Sequence, residues 1–126
     1  MNLTGLQRNT IDKFYTKPDV ASQCIRWASE HINIDNTDVV IEPSAGNGSF
    51  IEGLRNISNH CLFYDIEPEH PDVIKQDFLE YSHSKLDKYG SNIKIHVVGN
   101  PPFGRQSSLA IKFIKNACLF ANSISF

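Results

Sequence analysis

Asn100, Pro101, Pro102 and Phe103 follow a β-branched run in "VVGNPPFGRQ", residues 97–106. Each proline holds its own φ near about −65°, lacks an N–H and pushes the residue before it towards extended geometry. Asn100 thus stands on a stiff loop whose backbone carbonyls have few local donors. Such a loop offers hydrogen-bond acceptors to an incoming N–H group. A second constellation lies in "IEPSAGNGSF", where Glu42 and Ser44 precede Gly46 and Gly48. Glycine between a strand and a helix lets the backbone turn sharply and approach a ligand closely. Two strand-end acids complete the set: Asp65, 19 residues past Gly46, and Asp77, followed by Phe78.

These residue types narrow the ligand. A nicotinamide dinucleotide site of G-x-G-x-x-G form needs a third glycine at position 51, and Ile51 stands there. Glu42 at a strand end repels a pyrophosphate and attracts an ammonium or sulfonium. Asp65 at the end of the next strand is placed to accept both hydroxyls of a ribose. Asp77 can take the amino hydrogens of an adenine resting against Ile66 or Phe78, although a helix cap is the commoner role for an acid in that setting. A nucleoside that carries positive charge and no phosphate fits all of this, and S-adenosyl-L-methionine is such a molecule.

The elements that must position these residues follow from periodicity. Apolar positions Ala21, Cys24, Ile25, Ala28 and Ile32 recur at helical spacing from Pro18 to about Ile32, with Thr16 and Asp19 as a T-x-x-D start signal. "DVVIEP" predicts a buried strand, followed by a helix from Ser49 to about Asn56. "CLFYD" predicts a second strand, "DVIKQ" a weaker third and "IKIHVVG" a fourth, the last after a polar helix-compatible stretch from Leu79 to Tyr89. "SSLAIKFIKNACLFA" predicts a strongly apolar helix. This alternation indicates an α/β fold, a Rossmann-like, doubly wound and mainly parallel sheet with helices on both faces. "ISF" at residues 124–126 reads as the opening of a fifth strand. The expectation is therefore the N-terminal part of one catalytic domain: an N-terminal segment and helix over 1–35, and a cofactor-binding core over 36–126. A partner chain or a further C-terminal region would complete the sheet and cover its edge.

Composition bounds the rest. The 126 residues, 40% of them apolar, suffice for one domain, and no apolar run approaches the roughly 20 residues that span a bilayer. The start of the chain lacks a basic region followed by an apolar segment, so a cytoplasmic or nuclear setting without membrane partners is expected. Cys24, Cys61 and Cys118 are far apart among mostly apolar neighbours, which predicts reduced, buried core thiols. Neither they nor the five histidines have metal-ligand spacing, and no metal is expected. A net charge of −2 is not that of a strongly basic nucleic-acid clamp, so any such grip must be local.

Four stretches in a fixed order carry a family resemblance. The chain resembles the class I S-adenosylmethionine-dependent methyltransferases of the amino-group type, most closely the DNA adenine-N6 methyltransferases of restriction–modification and related viral kinds. "FYTKPDVA" is similar to the segment that precedes the glycine motif there, "EPSAGNG" to the glycine motif, "YDIEP" to the ribose acid and "GNPPFG" to the catalytic Asn-Pro-Pro-Phe. Lys17 departs from the proline common in relatives, and the family's seven strands exceed the five expected here. The resemblance implies cofactor contacts from Phe14, Tyr15, Thr16, Glu42, Ser44, Gly46, Gly48, Asp65, Ile66, Asp77, Phe78 and Asn100. It also implies a catalytic group of Asn100, Pro101, Pro102 and Phe103. The Asn100 amide oxygen and the Pro101 carbonyl would each accept a hydrogen of the target amino group, and Phe103 would stack on the target ring.

The substrate stays open at this level. The expected reaction is methylation of the exocyclic amino group of adenine in DNA. RNA adenine-N6, guanine-N2 and protein glutamine-N5 are alternatives, because the chemistry asks only for an arylamine or amide nitrogen. A non-catalytic cofactor-binding or scaffold module is the reading from another class.

Overall fold

The helical stripe from residue 18 forms α1 (Pro18–Ile32), and its start differs from the expected capping box. Lys17 is the N-cap, in extended geometry and without a side-chain hydrogen bond, and Pro18 opens the first turn. Proline is preorganised for that position, where its missing N–H has no helical partner to lose. The computed structural model describes residues 16–102 and 108–126. The expectations for Phe14, Tyr15 and Phe103 lie outside the described residues.

Five parallel strands follow: β1 (Val39–Glu42), β2 (His60–Asp65), β3 (Ile74–Lys75), β4 (Ile95–Val98) and β5 (Ser123–Ser125). Their order in the sheet is β3-β2-β1-β4-β5. The chain builds outward from β1 through β2 and β3, then returns to the other side of β1 with β4. The reversal falls between β1 and β4, and open α/β sheets form ligand crevices at the carboxyl ends of strands at such a point. Every residue of β1 and β4 is buried, as expected of strands covered on both faces. The "DVIKQ" strand shrinks to two residues at the sheet edge, both exposed.

Successive strand residues point to opposite faces, and they feed two cores. Val40, Phe63 and Val98 pack with Ala21 and Ile25 of α1 and with Leu54 of α2 (Ile51–Ile57). Val39, Ile41 and Val97 pack on the other face with Phe78, Leu86 and with Phe113 of α3 (Ser108–Ala117). The polar stretch before β4 forms two 3-10 segments, Phe78–Glu80 and His83–Tyr89.

The amino ends of β1, β4 and β5 are tied by a buried polar chain. His96 Nε2 lies 2.8 Å from Asp38 Oδ2, and His96 Nδ1 lies 2.6 Å from Ser123 Oγ. Asp38 Oδ2 also accepts the Asp35 N–H, and the Ser58 hydroxyl donates to the Asp38 carbonyl. Removing one member of a buried polar pair leaves the other desolvated and unpaired. His96→Leu is expected to lower unfolding stability by about 3 kcal/mol in urea titrations. A loss within about 0.5 kcal/mol would show that the chain of bonds does not hold the strands together.

The cysteines correct one expectation. Cys24 and Cys118 are exposed and Cys61 is half-buried, so they are not a set of core thiols. Cys24 sits one position before Ile25, the residue that α1 turns inward, and Cys118 follows the last buried residue of α3, Ala117. Cys61 Sγ lies 3.3 Å from the Leu54 carbonyl oxygen. Among the described residues, no helix is long and apolar enough to cross a membrane.

Candidate functional site

The turn after β1 is built from backbone ties that only certain residues allow. Gly46 and Gly48 have φ of 53° and 89°, in the left-handed region that glycine occupies without strain. The Ala45 N–H donates to the Tyr64 carbonyl at 2.8 Å, and the Gly46 N–H donates to Asp65 Oδ2 at 2.8 Å. Asp65 Oδ1 accepts the Glu67 N–H at 2.7 Å. The carboxylate at the end of β2 is thus oriented from both sides and clamped to the glycine turn. Each of its oxygens carries a second lone pair, which suits it to a ribose diol.

The other predicted cofactor residues divide. Ile66 is 45% exposed next to Asp65, where a flat ring can rest on it. Asp77 caps the first 3-10 segment, its Oδ1 accepting the Leu79 N–H at 2.9 Å, which is the common role weighed against adenine contact. Phe78 does not fit the expectation. Its side chain is buried in the α3 core, with ring centroids 5.2 Å from Phe113 and 5.9 Å from Tyr81. The 3-10 turn carries the ring inward, because burying an aromatic side chain against three others outweighs leaving it at a strand end.

Glu42 ends β1 and is 1% exposed. Its Oε1 accepts the Ser44 N–H at 2.8 Å, while Oε2 has no hydrogen-bond partner among the described residues. Burial pushes its pKa up to about 8, with the Ser44 N–H pulling it down, the Asp65 charge adding a smaller upward push, and the Ser44 hydroxyl and Asn100 N–H smaller downward pulls. Near neutral pH the group is mainly protonated. Without a cation beside it, the enclosed carboxyl expected to face a sulfonium favours its neutral form.

Gly99 explains the enclosure and was not singled out in the sequence. A Cβ at this position would fall 2.2 Å from both oxygens of the Glu42 carboxyl. Only glycine leaves that space. The one signal in the sequence is its position between the β4 run and Asn100.

Asn100 follows at the end of β4. Its Nδ2 donates to Thr16 Oγ1 at 3.3 Å, leaving the amide oxygen as its acceptor. Thr16, an expected cofactor contact, braces Asn100. The Asn100 main-chain carbonyl accepts the Ser44 hydroxyl at 2.9 Å, so it is not the unsatisfied acceptor that the two prolines suggested. Pro101 is buried and Pro102 half-buried. A mainly apolar groove of about 540 Å³ is lined by Thr16 and Asn100 together with Trp27 and Phe126.

The arrangement joins a nucleoside-type site, Asp65 and the glycine turn, to an amide acceptor on the neighbouring strand. The residues present fit S-adenosylmethionine: an oriented carboxylate for the ribose, an exposed apolar side chain beside it and a glycine turn that admits close approach. Asp65→Ala is expected to weaken S-adenosylmethionine binding by about 1–3 kcal/mol, because it leaves the hydroxyls unpaired and unties Gly46. Equal calorimetric affinity in wild type and variant would remove Asp65 from the site.

Comparisons with known proteins bear on this geometry. No protein-family profile matches the chain. Over 106 residues it is 29% identical to ribosomal RNA small subunit methyltransferase A of Francisella tularensis subsp. novicida (strain U112). It is 28% identical to the protein of the same name from strain SCHU S4 of subsp. tularensis. Both matches cover 74% of this chain and 40% of the relative, so the chain spans well under half the length of these relatives. The crystal structure of a candidate RNA methyltransferase from Pyrococcus horikoshii superposes with a TM-score of 0.69 at 19% identity, covering 97% of this chain and 66% of that one. The parallel sheet with its reversal beside β1, the glycine turn clamped to a strand-end acid and these likenesses converge: the chain has the class I methyltransferase fold.

Proposed function

We propose that this chain is the cofactor-binding and catalytic part of an S-adenosylmethionine-dependent N-methyltransferase acting on the exocyclic amino group of adenine in RNA. The observation that carries it is the juxtaposition of Asn100 with the glycine turn, fastened by the 2.9 Å bond from Ser44. The proximity brings a cofactor clamped at Asp65 and an amino group held at Asn100 into one crevice. When bound, S-adenosylmethionine supplies the electrophilic methyl group.

Adenine's amino nitrogen is a weak nucleophile, its lone pair being delocalised into the ring. With one amino hydrogen accepted by Asn100 Oδ1 and a second by the Pro101 carbonyl, the nitrogen is drawn towards tetrahedral geometry and its lone pair is released. This is positioning and electrostatic preorganisation in a fixed frame. A neutral amide does not take the proton, which leaves to water after transfer. A target within a duplex must be turned out of the stack to reach such a crevice.

RNA replaces DNA as the preferred substrate class. Asn-Pro-Pro-Phe alone does not separate the two, whereas the relatives matched by sequence and by structure are described as acting on RNA. With a net charge of −2, the grip of this chain on nucleic acid is local rather than a broad basic surface. Incubation with methyl-labelled S-adenosylmethionine and, separately, small-subunit ribosomal RNA, single-stranded DNA, duplex DNA and protein tests the reading. Label in N6-methylated adenosine from RNA is the expected result. Label confined to DNA or to protein glutamine overturns the RNA assignment, and no transfer to any substrate supports the non-catalytic module.

A further inference from the structure

The loop that carries Asn100 has little means of holding itself. Pro101 and Pro102 contribute no N–H groups, and among the described residues the Asn100 side-chain amide makes one hydrogen bond, a long 3.3 Å one to Thr16, while the Asn100 main-chain N–H interacts weakly with the Glu42 carboxyl. The shorter tie comes from across the crevice. Ser44 Oγ donates to the Asn100 carbonyl at 2.9 Å, and its 3.4 Å approach to Glu42 Oε1 is the weaker of its two options for a single hydroxyl proton. Ser44 is itself fixed, because its N–H is held by Glu42 Oε1 at 2.8 Å and the Glu42 carboxyl is packed on the Gly99 backbone. Two residues further along, Gly46 is clamped to Asp65. A continuous line of bonds therefore runs from the ribose acid through the glycine turn to the backbone of the acceptor residue.

We propose that Ser44 is a positioning residue for Asn100: its hydroxyl fixes the Asn100 main chain, and through it the aim of the Asn100 amide, to the cofactor turn. The inference rests on the methyltransferase reading for its catalytic consequence, while its structural content stands on the hydrogen bonds alone. Ser44 touches the main chain of Asn100, so the tie survives in Asn100→Ala, whereas its effect on the amide does not. A misplacement of about 1 Å can cost about 100-fold in rate when a reacting group must be aimed.

The test uses both facts. In the cofactor-free protein, the Asn100 side-chain amide pair is identified in nitrogen-15 spectra by its absence in Asn100→Asp. Ser44→Ala is expected to move that pair towards the position of a solvent-exposed asparagine, and Ser44→Thr, which keeps the hydroxyl, to restore it. In single-turnover methyl transfer at saturating S-adenosylmethionine, Ser44→Ala is expected to slow the step by about 10- to 100-fold. Placed in the Asn100→Ala background, it should cost nothing further. An unmoved amide pair, or a loss that adds fully to that of Asn100→Ala, overturns the proposal. Should Ser44→Ala fail to fold, Ser44→Cys, with its weak donor, replaces it in the same comparisons. If the wild-type chain transfers no methyl group, the methyltransferase reading fails, and the amide spectra still decide the role of Ser44.

Discussion

Asn100→Ala should abolish methyl transfer while leaving S-adenosylmethionine affinity nearly unchanged. The expected loss is on the order of 10²–10³ in rate, the size found when one preorganised hydrogen-bonding group is removed from a developing charge. The reason lies in where Asn100 makes its contacts. Its amide oxygen addresses the acceptor nitrogen, whose geometry changes in the transition state, and the ribose acid belongs to another strand. The fold should tolerate the change, because the side chain is half-buried and, among the described residues, gives up one 3.3 Å bond, to Thr16. Asn100→Asp should be milder, since a carboxylate still accepts the amino hydrogen. Single-turnover rates within a few-fold of wild type would return Asn-Pro-Pro-Phe to the status of a strand-ending turn.

Glu42 leads to the second large effect, a dependence of stability on pH with an unusual sign. Its folded pKa lies at about 8, against 4.5 for an ordinary glutamate. Between these values the folded state keeps a proton that the unfolded state has lost. Stability from this group is therefore fully present below about pH 4.5 and lost as pH rises to about 8, levelling off beyond. The difference of about 3.5 units corresponds to at most about 5 kcal/mol. Glu42→Gln keeps an oxygen for the Ser44 N–H and cannot ionise. Urea unfolding at pH 5.5 and pH 8.5 should show the wild type losing stability relative to Glu42→Gln at the higher pH. Parallel changes in the two proteins would mean that Glu42 ionises in the fold without cost.

The relation between these effects shows how the site divides its work. In the proposed reaction Asp65, with Ile66 beside it, would present atoms to the cofactor, and Asn100 its amide to the acceptor. Glu42, Ser44 and Gly99 lie beneath and between them, and their contacts are with one another and with the loop backbones. Catalysis by positioning needs both sets, because a preorganised acceptor is useful only while its backbone is held.

The sequence by itself determined the sheet and the ends of its strands. Apolar runs bounded by glycine and proline mark β1, β2 and β4, and local backbone chemistry decides those positions whatever packs above them. The same local logic located Asp65 beside the glycine turn and Asn100 after β4, as well as the Asp77 alternative of a cap. The tertiary structure decided what each side chain faces. Phe78 follows an acid at a strand end, as an adenine-stacking residue would, yet the 3-10 turn directs it into the α3 core. Cys24 and Cys118 have apolar neighbours in sequence, but Cys24 lies on the exposed side of α1 and Cys118 in the exposed turn after α3. Glu42 reads as a charged ligand, but the strand that returns beside β1 brings Gly99 against it and removes its water. Thr16 and Ser44 came to Asn100 across 84 and 56 residues of chain, contacts that no local spacing encodes. Burial and long-range pairing are properties of the assembled sheet, and they decide which of the predicted residues are enclosed and braced by one another.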